Sequence, residues 1–405
     1  MWLRRLQALG PGLISGASDN DPTTVATLAV IGSTTTYALG WLVLLVIPLL
    51  AVVQAIGTHV GAVTKEGLED LIRRRYGAGA AFVLLVSILF VNVLTLAADL
   101  EGGGAALQLL THIDYRVFVL PLAAIALFLL IRGNFTVVER ILVYVPLAFL
   151  AYVFAAAFAH PDWGAVLRDS FVPHMQASHA FVAGAIALLG TTLTAYAYVW
   201  QQIETAERPP PLRRLGLVQI DATAGAVLAG LTFWFIMVAT GATLGAQHHP
   251  VQTAGDAAAA LRPVAGAAAS ALFGVGLLGS ALLALPVLLA TSAYIFAEMC
   301  GWTGRLDSTF FQARRFYLVM IVTAAAACAI AFAGIAPIKL LFVASIASGI
   351  ATPVSLAFML LAASDKRIVK EQPLDPRLKI AGWATTGIVA AAAAIFLYQT
   401  ATGQS

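Results

Sequence analysis

Charge is what this sequence has least of. Asp, Glu, Lys and Arg make up 11% of its 405 residues, against about a quarter in ordinary water-soluble domains. With 60% hydrophobic residues and so few charges, the chain excludes a soluble globular domain. The net charge of +3 belongs to loops between apolar segments and excludes a nucleic-acid surface. Cysteine is nearly absent. Cys300 and Cys328 stand alone, which excludes a disulfide framework and a thiolate metal site. No catalytic motif and no soluble module is present, so neither an enzyme, a cofactor nor an obligate protein partner is expected. A cleavable leader is not expected either: MWLRRLQALGPGLISGAS begins basic, but its continuation is glycine-rich and polar and lacks a small-residue cleavage site.

Long apolar runs take the place of charge. Stretches such as GWLVLLVIPLLAVVQAIG and VFVLPLAAIALFLLI match the roughly 20 residues a bilayer-spanning helix needs. Eleven segments can be drawn, near 9–32, 38–62, 80–110, 115–132, 138–160, 178–206, 217–246, 266–299, 316–335, 338–363 and 380–400. The expected class is an all-α polytopic membrane protein with about 11 transmembrane helices, one transporter domain over 1–405. Basic residues orient it. With the N-terminus inside, all but Arg116, Arg168, Arg262 and Lys339 of the 23 Lys and Arg fall on inner segments. The expected placement is therefore the cell membrane, with the N-terminus cytoplasmic and the C-terminus outside. The longer outer connections, HPDWGAVLRDSFVPHMQASH and GAQHHPVQTAGDAAAALRPVAG, are accordingly poor in basic residues.

Two of these spans are interrupted. The first carries SDNDPTT, where Asp19 and Asp21 precede Pro22, a residue that has no backbone N–H and clashes with the preceding turn. The sixth carries LLGTTLTAYAYVWQQIETAE, where Gly190, the Thr191–Thr192 pair and Thr194 mark a weaker, polar break. Irregular backbone at membrane depth persists only where protein or a water-filled cavity satisfies the freed carbonyls. A pair of interrupted spans at matching positions of two halves points to a transporter's midplane site. The five-span separation predicts a 5+5 inverted repeat, about 9–160 and 178–363, with an extra helix at about 380–400. Layout alone carries that prediction, because the halves share no residue-level identity. A structural reading of the first break also stands: Asp19 caps a helix end and Pro22 kinks the span. Against it, a carboxylate inside a span is costly and functional by default, and this span has two.

An ionised carboxylate at unwound backbone, among carbonyls and hydroxyls, is a cation site. Asp21 supplies the charge, Thr24 a hydroxyl one turn on, and span 6 carbonyls near Thr191 the opposite wall. Such oxygen ligation suits hard cations: Mg²⁺ or Mn²⁺, and Ca²⁺ in a wider cavity. Neither break contains Cys, Met or His, so nothing there selects a soft metal. Either Asp19 or Asp21 can be the primary ligand.

These residues carry a resemblance. LGPGLISGASDNDPTTVAT resembles the first span of the NRAMP-type divalent metal transporters, a GPG followed by Asp-Pro-Gly-Asn and a nearby Ala-Thr. Gly10, Pro11, Gly12, Asp21, Pro22, Ala26 and Thr27 match, while Thr23 and Thr24 stand where the family has Gly and Asn. FTVVER at 135–140 is similar to the stretch before the family's span 5, and RRLGLVQIDAT, with Asp221, to the lead into span 7. ADLEGGGAAL resembles the acidic segment of span 3, with Glu101 in register and Asp99 one place from the other acid. The resemblance implies a LeuT-like fold with broken helices 1 and 6, and Asp21 rather than Asp19 on the metal. In span 6 the family's methionine ligand is replaced by Thr194, its proline by Ala195, its histidine by Tyr196, and a later histidine by Gln201. The span 10 glutamine falls at about Ser345. The chain is therefore similar to a divergent branch, the NRAMP-related magnesium transporters, which also lack the methionine.

The expected metal residues are thus Asp21, Thr24, Thr191 and Thr194. The candidate ion or proton path comprises Asp19, Asp99, Glu101, Tyr196, Gln201 and Asp221. For Asp99 and Glu101 a buried structural pair stands beside the path reading, with Gly102–Gly104 admitting a close helix. Asp221 serves either gating or pairing with Arg213 or Arg214. Glu204 reads as a solvated helix end, Glu298 as interfacial, and Tyr198 and Trp200 as packing residues. The expected function is secondary transport of Mg²⁺ or Mn²⁺ by alternating access, inward. The rival is a sodium- or proton-coupled amino-acid transporter of the same fold, disfavoured because Asp21 would repel a substrate carboxylate. Transported ion and lipid bilayer are the expected partners.

Overall fold

The computed structural model describes residues 20–132, 148–149, 151–211, 215–302, 304–370 and 372–403, apart from the side chains of residues 217 and 221. Among these the chain is helical with no strand. The helices are α1 (Pro22–Thr35), α2 (Gly40–Thr64), α3 (Leu68–Tyr76), α4 (Ala78–Thr111), α5 (Arg116–Ile131) and α6 (Ala151–Phe158). Then come α7 (Trp163–Phe171), α8 (His179–Thr192), α9 (Ala195–Glu207), α10 (Leu215–Thr243), α11 (Ala254–Ala259) and α12 (Arg262–Ala265). The last five are α13 (Ala269–Cys300), α14 (Arg314–Ala331), α15 (Pro337–Ser364), α16 (Lys366–Val369) and α17 (Pro376–Thr402).

Among the described residues, eight stretches are long and apolar enough to cross a membrane, α8 and α9 counting as one, and α5 is a shorter apolar helix. The segments drawn from the sequence coincide with these nine to within a few residues. Those near 9–32 and 138–160 are described only in part. The second break is present, and the first is described from Asn20 onward. α1 starts at Pro22, at the first helical position, where the missing N–H would have found no intrahelical acceptor; the proline opens this helix rather than kinking it. α8 ends at Thr192, and extended Thr194 restarts the chain as α9.

Gly190 is not the break. It lies inside α8, and its role is contact: a Cβ there would overlap the Ser345 carbonyl oxygen and Gly349 N. α8 thus lies directly on α15, backbone to backbone, as small residues permit in membrane proteins. α13 packs along α4, α10 along α2 and α1, and α9 along α2. Gly102–Gly104 do admit neighbours, with Pro22 Cβ, Ala281 Cβ and the Tyr115 carbonyl each within 3.0 Å of an added Cβ.

The connections hold helices that a count of apolar spans misses. α7 is capped by Asp162, which accepts from Gly164 N at 2.9 Å. α3, LEDLIRRRY, is amphipathic: Leu68, Leu71 and Ile72 are buried, acids occupy its first turn and arginines its last, as the helix dipole favours. Glu298, expected near the inner end of span 8, accepts the Glu69 N–H at the start of α3.

Candidate metal centre

Asp21 is 1% exposed and holds the N-terminus of α1. Its Oδ1 accepts the Thr24 N–H at 2.7 Å, the geometry of an N-cap. The capping role assigned in the structural reading to Asp19 therefore belongs to Asp21; Asp19 itself lies outside the described residues. Capping occupies one oxygen. The other, Oδ2, accepts the Tyr196 hydroxyl at 2.7 Å, and Tyr196 lies in the first turn of α9. One carboxylate thereby joins the two breaks.

Hydroxyls complete the join. Thr24 Oγ1 and Thr191 Oγ1 are 2.8 Å apart. Thr23 donates to Asp99 Oδ1 at 2.6 Å, which ties α1 to α4 beside the cap. Asp99 is 0% exposed, and its Oδ2 has no hydrogen-bond partner among the described residues. Burying a carboxylate oxygen without a donor is expensive, so this oxygen marks the side on which a cation or proton is best received.

α15 forms the remaining wall. Ser345 Oγ lies 2.7 Å from Thr27 Oγ1. Ser348 donates to the Gly190 carbonyl at 2.8 Å and lies 3.2 Å from Thr194 Oγ1. Thr352 donates to the Leu193 carbonyl at 3.3 Å. The Gly190 and Leu193 carbonyls of span 6 thus each accept a hydroxyl from α15, as backbone freed inside a membrane protein must find donors.

The sequence-derived residues divide accordingly. Asp21, Thr24, Thr191, Tyr196 and Asp99 meet in one cluster, and Thr194 joins through Ser348. Glu101 is buried two residues beyond Asp99, with neither oxygen hydrogen-bonded among the described residues; Gly102 beside it faces Pro22. Gln201 is buried on α9, five residues past Tyr196. The side chain of Asp221 lies outside the described residues. Sequence reasoning missed Thr23, Ser348 and Thr352. The signal was there: Ser345, Ser348, Thr352 and Ser355 recur at three- and four-residue steps, one face of a helix. Among the described residues no three His, Cys, Asp or Glu side chains come together as a metal group. A cation here would meet one or two carboxylates and several hydroxyls, a donor set suited to a hard ion that keeps part of its water.

Residues 12–399 match the natural resistance-associated macrophage protein-like family, Nramp. The divalent metal cation transporter MntH of Deinococcus radiodurans is 25% identical, over 98% of this chain and 90% of that one. The protein of the same name from Ralstonia nicotianae is 30% identical over 69% of this chain and 66% of its own. Among solved structures, a variant of the Eremococcus coleocola manganese transporter superposes with a TM-score of 0.75 at 18% identity, covering 95% of this chain and 85% of the other. MhsT, solved with L-phenylalanine, superposes at 0.65 with 13% identity, over 96% and 97% of the two chains. These likenesses establish the LeuT-like fold.

Proposed function

The chain belongs to the Nramp family, and from that premise we propose that it carries divalent metal cations, Mg²⁺ and Mn²⁺, across the membrane by alternating access. The observation behind this reading is the meeting of the two broken helices on Asp21, which accepts from Thr24 N and from Tyr196. The relatives' names supply the metal class; the all-oxygen surroundings supply the preference for a hard ion. Asp21, Thr24, Thr191 and Thr194 line the ion's position, and Asp99, with its one unbonded oxygen, receives either a second contact or a proton. The two halves, about 9–160 and 178–363, rock as inverted repeats around this point. The distribution of Lys and Arg puts the N-terminus in the cytoplasm. An inside-negative potential then contributes about 2.3 kcal/mol per charge per 100 mV, which draws the ion inward.

The test is uptake into proteoliposomes by wild type and Asp21→Ala, with Mg²⁺ and Mn²⁺ in parallel and internal pH followed. Uptake of both ions without acidification, lost in the variant, is the expected result. Acidification with Mn²⁺ makes Asp99 and Glu101 proton carriers. No uptake of either ion, with stabilisation by amino acids instead, overturns the reading in favour of the MhsT-like class.

A further inference from the structure

The corner where α2, α9 and α13 end carries two acids that the site at Asp21 does not use, half-buried Glu298 and buried Glu69. Glu298, in the last turns of α13, accepts the Glu69 backbone N–H at 3.2 Å. Its carboxylate is thus the anion at the N-terminus of α3, where unpaired N–H groups and the dipole favour negative charge. The contact is close: a Cβ on Gly67 would overlap Glu298 Oε1. Glu69 itself is 0% exposed, and neither of its carboxylate oxygens has a hydrogen-bond partner among the described residues. Side chains in the first turn of a helix lean back toward its N-terminus, which aims Glu69 at Glu298.

The charges facing Glu69 are Glu298, Asp70 and Arg73. Arg73 is engaged with Asp70 Oδ1 at 3.0 Å and the Met299 carbonyl at 3.4 Å. Of the other elements packed on α3, α9 brings Glu204 and Glu207, the latter held by Arg305 and Tyr294. Asp365, just past α15, is bound by Arg75, and residues 78–98 of α4 contain no titratable side chain. Two neighbouring carboxyls in a dry pocket do not both ionise. The ligand this corner is best placed to take is therefore a proton.

We infer that Glu69 is a proton-binding latch separate from the cation site: protonated, it docks α3 on Glu298, and losing its proton releases α3. The same corner also touches α9, where Gln202 Nε2 donates to the Glu66 carbonyl. Under the orientation proposed above this is the cytoplasmic end; the latch itself does not depend on which ion is carried.

Burial and the Glu298 charge push the Glu69 carboxyl from its ordinary 4.5 up to about 9. Docking is therefore fully supported below about pH 4.5, weakens about tenfold per pH unit above that, and has lost this support above about pH 9. The experiment is hydrogen exchange of residues 67–73 in the full-length detergent-solubilised protein at pH 6, 7 and 8, corrected for intrinsic rates, in wild type and Glu69→Gln. Protection in wild type should fall about tenfold per unit, while the glutamine, which cannot ionise, holds it constant. Wild-type protection that does not change with pH overturns the latch, whether or not the variant folds. An equal pH dependence in the glutamine variant overturns it too, by assigning the titration to another group.

Discussion

Asp21 and Glu298 both stand at helix N-termini, and they are supplied in opposite ways. Asp21 caps its own helix, three residues from the N–H it binds. Glu298 reaches α3 from 229 residues away. A local cap travels with its helix whatever the neighbours do. A cap delivered across the fold exists only while two elements stay docked. Under the alternating access proposed above, the comparison predicts that the cap at Asp21 persists while the contacts at the α3 corner are made and broken.

Removing the local cap's charge should have the largest effect. Asp21→Asn preserves an N-cap acceptor but not the charge. Losing one partner of a buried charged pair costs about 3–5 kcal/mol, so uptake should fall more than a hundredfold in proteoliposomes. Its melting temperature should stay near wild type, whereas Asp21→Ala should also lose about 1 kcal/mol of stability with the cap. Equal melting losses in both variants would make Asp21 structural and erase the contrast.

Next comes Gly190→Ala, which drives a methyl into the Ser345 and Gly349 backbone. Overpacking of this kind costs about 1–3 kcal/mol, measured as a lowered melting midpoint. It should leave the pH dependence of the α3 corner untouched. Ser348→Ala is expected to be milder, about 1 kcal/mol, because the Gly190 carbonyl loses its side-chain donor. Comparing uptake of the two ions in this variant tests whether α15 shapes the site: the Mg²⁺-to-Mn²⁺ ratio should change several-fold. The smallest effect belongs to Arg74→Ala. Its bond to Glu66 at 2.6 Å is largely exposed, and such pairs contribute under about 1 kcal/mol. A larger loss on thermal melting would mean that α3 is held by surface charge rather than by the Glu298 cap.

Much of the fold was legible in the sequence because span length and interruption are written in one dimension. Pro22 beside two acids, and three threonines from Thr191 to Thr194, mark breaks that no apolar run could hide. The break in span 6 was placed slightly early, since glycine at close contact and glycine at an unwound turn look alike in sequence. α3 was missed although Leu68, Leu71 and Ile72 have helical spacing, because nine residues between two spans read first as a basic loop. The serine and threonine stripe of α15 was also passed over: hydroxyls are common in membrane helices, and only their facing the span 6 carbonyls gives these a role.

The sequence by itself determined the membrane class and the approximate positions of both breaks, though it gave the cap to Asp19 where the structure gives it to Asp21. These rest on hydrophobic length and on the local preferences of residues a few places apart. Only the tertiary structure decided that Tyr196 would donate to Asp21 from 175 residues away, that Ser348 would answer the Gly190 carbonyl, and that Glu69 would be buried against Glu298. Those pairings depend on how closely helices pack. Close packing is set by the shapes of whole helix faces, which no single stretch of chain contains.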